Sequence, residues 1–233
     1  MKKYIIGFVL GTIIFTGIGA YATIKMQADE IGYGDDDKTV ADALDDLYSK
    51  ANSSIKLCKY IDGTYGSKGS VGSKYECKLG NETKYFYTLS INTNTVVMIM
   101  DGYVADETLY NYNDAISYFT SGSGSQYLQQ WPNVISVGLP SAYDVANAIG
   151  YSGWNQQHIC VESGQLDVGS YPYCNHTSDN NLWLRGGGYW TTTERNGNES
   201  WSVRDGVEDL TPDWKTNTFR IRPVITILKA SLD

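Results

Sequence analysis

Two β-rich runs, Tyr85-Phe86-Tyr87-Thr88-Leu89-Ser90-Ile91 and Thr95-Val96-Val97-Met98-Ile99-Met100, are separated only by Asn92-Thr93-Asn94, and no other feature narrows the fold as far. Aromatic and β-branched residues suit a pleated surface, and three turn-forming residues between two such runs close a hairpin. The chain must therefore hold an antiparallel sheet. Strand character begins near residue 55 and returns in 189–193, 200–203 and 219–228. Between these, Asn113-Asp114 can start a helix through Ala115, Ile116 and Phe119 that ends before the Ser/Gly-rich 121–125. A second helix follows Leu139-Pro140, with Ser141 as cap, Asp144 three residues on, apolar Val145, Ala148 and Ile149, and Gly150 as stop. The expected class is α+β: short antiparallel strands, two or three helices and long loops.

Ahead of this domain, Lys2 and Lys3 precede a segment, 4–24, that carries no charge before Lys25. It is long enough to cross a hydrocarbon core of about 30 Å, and longer than the usual apolar part of a cleaved signal. Ala20-Tyr21-Ala22 nevertheless fits a small-x-small cleavage site. Both readings place the downstream chain outside, with the basic residues cytoplasmic. One is a single-pass cell-membrane protein attached through residues 4–24, its fold preceded by a membrane helix. The other is a product secreted after cleavage near Ala22. On this reading 1–25 is a signal or membrane anchor, 26–38 an acidic spacer, 39–54 an amphipathic helix capped by Thr39, and 55–233 the exported domain. Asp35-Asp36-Asp37 lacks the alternating ligands of a calcium loop.

Export requires a partner that is found outside. Lys plus Arg is 18 against 26 Asp plus Glu, a formal charge of -8 with no basic stripe, which argues against nucleic acid as partner. The 19 Tyr and 24 Gly, among many Ser, Thr and Asn, give a composition shared by β-rich modules and by adaptable binding loops.

Four cysteines in an exported domain read as two disulfides, for which three pairings exist. The local pairing, Cys58–Cys77 and Cys160–Cys174, is preferred over the crossed ones. Both histidines flank the second pair, as His158-Ile159-Cys160 and Cys174-Asn175-His176, an arrangement that a zinc site could also use. The one-residue gaps are tighter than zinc spacing usually shows, and an oxidising compartment favours the disulfide. No metal or cofactor is expected.

The last third carries a resemblance. Trp183-Leu184-Arg185-Gly186-Gly187-Gly188-Tyr189-Trp190-Thr191-Thr192-Thr193, then Trp201-Ser202-Val203, then Phe219-Arg220-Ile221-Arg222-Pro223-Val224, resembles the end of a C-type-lectin-like domain. More narrowly it is similar to the branch of formylglycine-generating proteins and the variable proteins of diversity-generating retroelements, whose signature is R-G-G-x-W followed by a terminal G-F-R. The likeness covers 85–228, and extends to exported bacterial surface proteins with an N-terminal anchor. Thr218 stands where that pattern has Gly, and an extra residue separates Gly188 from Trp190. No Cys lies from Asn175 onward, so formylglycine-generating chemistry does not carry over. Calcium-dependent sugar binding is not implied either, since the E-P-N and Q-P-D triplets are missing.

What the resemblance implies is a scaffold that displays ligand-binding loops between about residues 185 and 218. Trp190 and Trp201 lie in strand-like runs and are expected in the core, whereas Trp214 follows Thr211-Pro212-Asp213 in a loop and is expected at the surface. Thr192, Glu194, Arg195, Asn196, Asn198, Arg204 and Asp205 are the polar residues placed to contact a ligand with Trp214. That ligand would be an extracellular protein or glycan, met by a displayed adhesin- or receptor-like module. A structural surface protein assembling through its N-terminal helices is the alternative. A glycoside hydrolase is the third reading, for which Glu194, Glu199, Asp205, Glu208 and Asp209 supply carboxylates but no separation. Arg220 and Arg222 share one strand face, and pairing with carboxylates inside the domain is expected.

Overall fold

The computed structural model describes residues 32–33, 38–39, 56–61, 65–104, 108–151, 153–155, 158–160, 166–168, 179–184, 187–204 and 210–233. The chain divides into two compact units, Met1–Ile55 and Lys56–Asp233. In the first, β1 (Gly32–Tyr33) pairs antiparallel with β2 (Lys38–Thr39), Gly32 opposite Thr39. Thr39 is thus the last residue of a short strand, and the spacer contains a pairing. The expected membrane segment 4–24 and the helix beyond Thr39 lie outside the described residues. Among the described residues no helix is long and apolar enough to cross a membrane, so the expected preceding membrane helix has no support there.

The second unit is built on a six-stranded sheet. Its members are β3 (Cys58–Ile61), β4 (Lys74–Leu79), β5 (Glu82–Ile91), β6 (Thr95–Met100), β7 (Val134–Gly138) and β13 (Val224–Leu228). They lie in the order β3-β4-β5-β6-β13-β7, every neighbour antiparallel. The expected hairpin is β5–β6, closed by Asn92 N–H donating to the Thr95 carbonyl at 2.9 Å. A second, tighter hairpin joins β4 to β5 through Gly80-Asn81. Gly80 sits at φ 61°, and a Cβ there would stand 2.3 Å from the Gln130 carbonyl oxygen, so only glycine fits.

Side chains alternate across the sheet, and both faces are covered. Phe86, Met98, Met100, Ile225 and Ile227 enter one core with Tyr112, Ala115 and Tyr118 of α1 (Tyr112–Thr120). Tyr87, Leu89, Ile99 and Val224 enter another, with Val145 and Ala146 of α3 (Ala142–Ala148). Burial on both faces explains why β6 reads as a continuous apolar run without polar alternation. The second core is completed by a three-stranded antiparallel sheet of β10 (Tyr189–Glu194), β11 (Glu199–Val203) and β12 (Leu210–Trp214). Trp201 of β11 is fully buried there, its ring edge-on to Trp154 at 4.7 Å. A two-stranded ladder, β8 (His158–Cys160) with β9 (Leu166–Val168), accounts for the remaining strands described.

The α+β expectation is corrected accordingly: the unit is mostly antiparallel β. The helices α1, α2 (Tyr127–Gln130) and α3 have nine, four and seven residues. Glycines stop α1 and α3. Gly122 and Gly124 fit so tightly under α1 that a Cβ on Gly124 would stand 2.4 Å from the Tyr118 ring, and Gly150 closes α3 at φ 103°. Ser141 caps α3 as its spacing with Asp144 implies, accepting the Asp144 N–H at 3.0 Å. The cap of α1 is Asn111, which accepts from the Asp114 N–H, two residues ahead of the expected start. Strand character in 219–228 begins only at Val224, because Pro223 has no N–H to give the ladder. Phe219 and Arg220 instead form isolated bridges to Tyr110 and Tyr189.

Cys58 and Cys77 face each other in register on β3 and β4 and are joined by a disulfide. The expected Cys160–Cys174 pair, and the zinc alternative at the same place, rest on side chains outside the described residues.

Candidate functional site

A cleft of about 290 Å³ opens where five separate segments of the second unit meet. Tyr87 comes from β5, Asp101 and Tyr103 from the turn after β6, and Tyr65 from the connection between β3 and β4. Trp183 comes from the 3-10 turn Asp179–Leu184, and Arg222 from the approach to β13. Gly102 and Leu182 complete the lining. The aromatic rings brace one another: Tyr87 lies 6.0 Å from Tyr65 and 5.5 Å from Trp183 between centroids. Tyr87 and Trp183 are buried, Tyr65 and Tyr103 half-buried, and Leu182 is 41% exposed at the rim.

The charges around this cleft are held unequally. Asp101 meets Lys74 at 2.7 Å, and that hydrogen bond holds the Lys74 ammonium above its usual pKa. Lys74 also lies over the Tyr87 ring, 5.2 Å from its centroid. Burial, reinforced by the Asp101 charge, pushes the Tyr87 phenol up, so it stays neutral. Arg222 is only 2% exposed. Its Nε donates to the Met100 carbonyl at 2.7 Å, Nη1 to Leu184 at 3.0 Å and Nη2 to Trp183 at 2.6 Å, with the Tyr189 ring 5.3 Å away. No carboxylate among the described residues bonds it, contrary to expectation. Arg220 likewise donates to a carbonyl, that of Gly187 at 2.8 Å, and lies over the Tyr103 ring. This contact accounts for the glycine run: Gly187 is at φ 75°, and a Cβ there would overlap the Arg220 guanidinium.

The residues picked from sequence lie on the small sheet, and the structure divides them. At the β10–β11 turn, Glu199 accepts from Arg195 Nη1 at 3.1 Å and from Asn196 Nδ2 at 2.7 Å. Asn196 Oδ1 in turn accepts the Asn198 and Glu199 N–H groups, and the Asn198 carbonyl accepts from Lys215 N–H. Lys215 Nζ meets Glu194 at 3.0 Å. The other cluster centres on Asp213, 2% exposed, which accepts from Arg204 Nε at 2.8 Å, from Asn217 Nδ2 at 3.0 Å and from the Ser202 hydroxyl. Thr192 is exposed, with its N–H on the Pro140 carbonyl and its own carbonyl accepting from Tyr112. Asp205, Glu208 and Asp209 lie outside the described residues.

Trp190 and Trp201 are fully buried, and Trp214 is 57% exposed. Trp214 is nevertheless not in a loop: Thr211-Pro212-Asp213 belongs to β12, whose place at the sheet edge tolerates a proline. Sequence reasoning did not assign the cleft. Tyr87, Trp183 and Arg222 stood inside recognised patterns, but Tyr65, Asp101 and Tyr103 carried no local signal. No family model matches this chain, and no curated protein matches it.

Proposed function

We propose that this chain is an exported ligand-binding module that receives a group of an extracellular protein or glycan in the aromatic cleft. One observation carries the reading: the cleft is walled by four aromatic side chains, Tyr87 on a strand of a sheet buried on both faces and Tyr65, Tyr103 and Trp183 on the connections around it. A pocket with aromatic walls and a few fixed polar groups loses little entropy when a ligand enters. The Cys58–Cys77 bond supports export, because disulfides persist in oxidising compartments. The small sheet is the weaker candidate, since Arg195, Arg204 and Lys215 already hold carboxylates of their own.

The reading is tested by binding of the full chain to arrays of extracellular-matrix proteins and of glycans, beside a Tyr65→Ala, Tyr103→Ala double variant. Wild type is expected to retain at least one ligand that the folded double variant loses. Equal retention by both would overturn the assignment to the cleft.

A further inference from the structure

We propose that the ligand group is a carboxylate-bearing sugar ring, with Arg222 as the anchor of its carboxylate; this rests on the cleft being the binding site. Size comes first. At about 290 Å³ the cleft lies at the lower end of small-molecule pockets, about 300–1,000 Å³, room for one ring and not for a chain of them. A terminal residue of a glycan meets that limit.

Chemistry of the walls comes second. Aromatic faces carry negative charge density, which suits the polarised C–H face of a pyranose. Tyrosine hydroxyls supply donors and acceptors for its edge. An apolar side chain in the same place would strip water from these groups without replacing their hydrogen bonds.

The charge balance then selects among sugars. Asp101 of the wall is neutralised by Lys74 behind it, whereas Arg222 hydrogen-bonds only to carbonyls, so the two wall charges together with Lys74 leave one positive charge in excess. That excess is local, in a chain whose formal charge is -8. A buried cation without a counter-ion is costly, and carbonyl dipoles offset only part of that cost. A guanidinium has five N–H groups. Three of those on Arg222 are engaged by the Met100, Leu184 and Trp183 carbonyls, which leaves two, the number a bidentate carboxylate takes.

The full chain is to be titrated, by ligand-observed NMR, with D-glucuronic acid, D-galacturonic acid, N-acetylneuraminic acid, the methyl ester of each, and D-glucose. At least one acid is expected to bind, with its ester and glucose about tenfold weaker or more, because a charge-assisted bond is lost. Arg222 also braces the fold, so the decisive variant is Asp101→Asn at an exposed position. Removing that carboxylate is expected to tighten the acid about threefold, since repulsion disappears and Lys74 is released toward the ligand. Equal binding of acid and ester, or weaker acid binding by Asp101→Asn, overturns the carboxylate anchor and leaves the cleft assignment standing. Binding of none of the sugars, while a protein ligand on the array still depends on Tyr65, overturns the sugar class alone. Array binding that is indifferent to Tyr65 and Tyr103 overturns the cleft assignment itself.

Discussion

The cleft and the small-sheet hairpin draw on the same kinds of side chain, yet they settle their charges in opposite ways. On the small sheet Arg195 meets Glu199 and Lys215 meets Glu194 around the hairpin, while Arg204 meets Asp213 in the second cluster, so each of these cations has a carboxylate of its own. At the cleft Arg222 is braced by carbonyls and keeps its charge uncancelled. A closed pair fixes local geometry. An open charge beside aromatic walls leaves an interaction for a ligand to complete. The composition of a segment does not distinguish the two; the partners of each charge do.

This contrast predicts that small-sheet changes act on stability and cleft changes on affinity. The largest effect is expected for Asp213→Ala, which removes the buried acceptor shared by Ser202, Asn217 and Arg204. Denaturant unfolding should show a loss of about 3 kcal/mol with ligand affinity unchanged. A weakened ligand in the folded variant would mean that the two regions are coupled.

Next is the response of the second unit to alkali. Burial is the main cause that raises the phenol pKa of Tyr87, Tyr112 and Tyr118 above 10.0. Their neutral forms are favoured by folding, so that stability is complete below the unfolded value and is lost as pH rises from about 10 toward the folded values. Lys74, also raised, follows the same sign above its ordinary value of 10.5. Chemical unfolding should therefore give a plateau through neutral pH and a decline above about pH 10. A decline that starts near pH 8 would show that these phenols are not the controlling groups.

Smaller in free energy is Tyr65→Ala, expected to lower affinity about tenfold with under about 1 kcal/mol of stability lost, because the ring is half-buried at the cleft wall. Equilibrium titration beside thermal unfolding separates the two quantities. Smallest is Arg195→Ala: its pair with Glu199 is partly exposed, and unfolding should shift by no more than about 0.5 kcal/mol with affinity unaltered. A clear loss of affinity there would favour the hairpin over the cleft.

Features written into short stretches of sequence were legible. The hairpin of 85–100, the Ser141 cap and the Cys58–Cys77 pair each depend on residues close along the chain or on one strand pairing. Burial of Trp190 and Trp201 and exposure of Trp214 were legible from their surroundings. The helices started by Asn113-Asp114 and Ser141 end near the glycines that the sequence marks as stops, but at nine, four and seven residues the helices are outweighed by the sheets, which is why the α+β class gives way to mostly antiparallel β. Thr211-Pro212-Asp213 reads as a loop in the sequence because proline argues against a central strand, and an edge strand does not obey that rule. The cleft was illegible for a topological reason. Tyr65, Tyr87, Asp101, Trp183 and Arg222 converge only after β13 inserts between β6 and β7, a pairing that no local pattern encodes.

The most direct measurement is amide hydrogen exchange of the full chain with and without an array ligand at saturation, read segment by segment. The account predicts slowed exchange around Tyr65, across Asp101, Gly102 and Tyr103, and at Leu182 and Trp183, with 194–199 unchanged. Protection confined to 194–199 and Trp214, with the cleft segments unchanged, would contradict it.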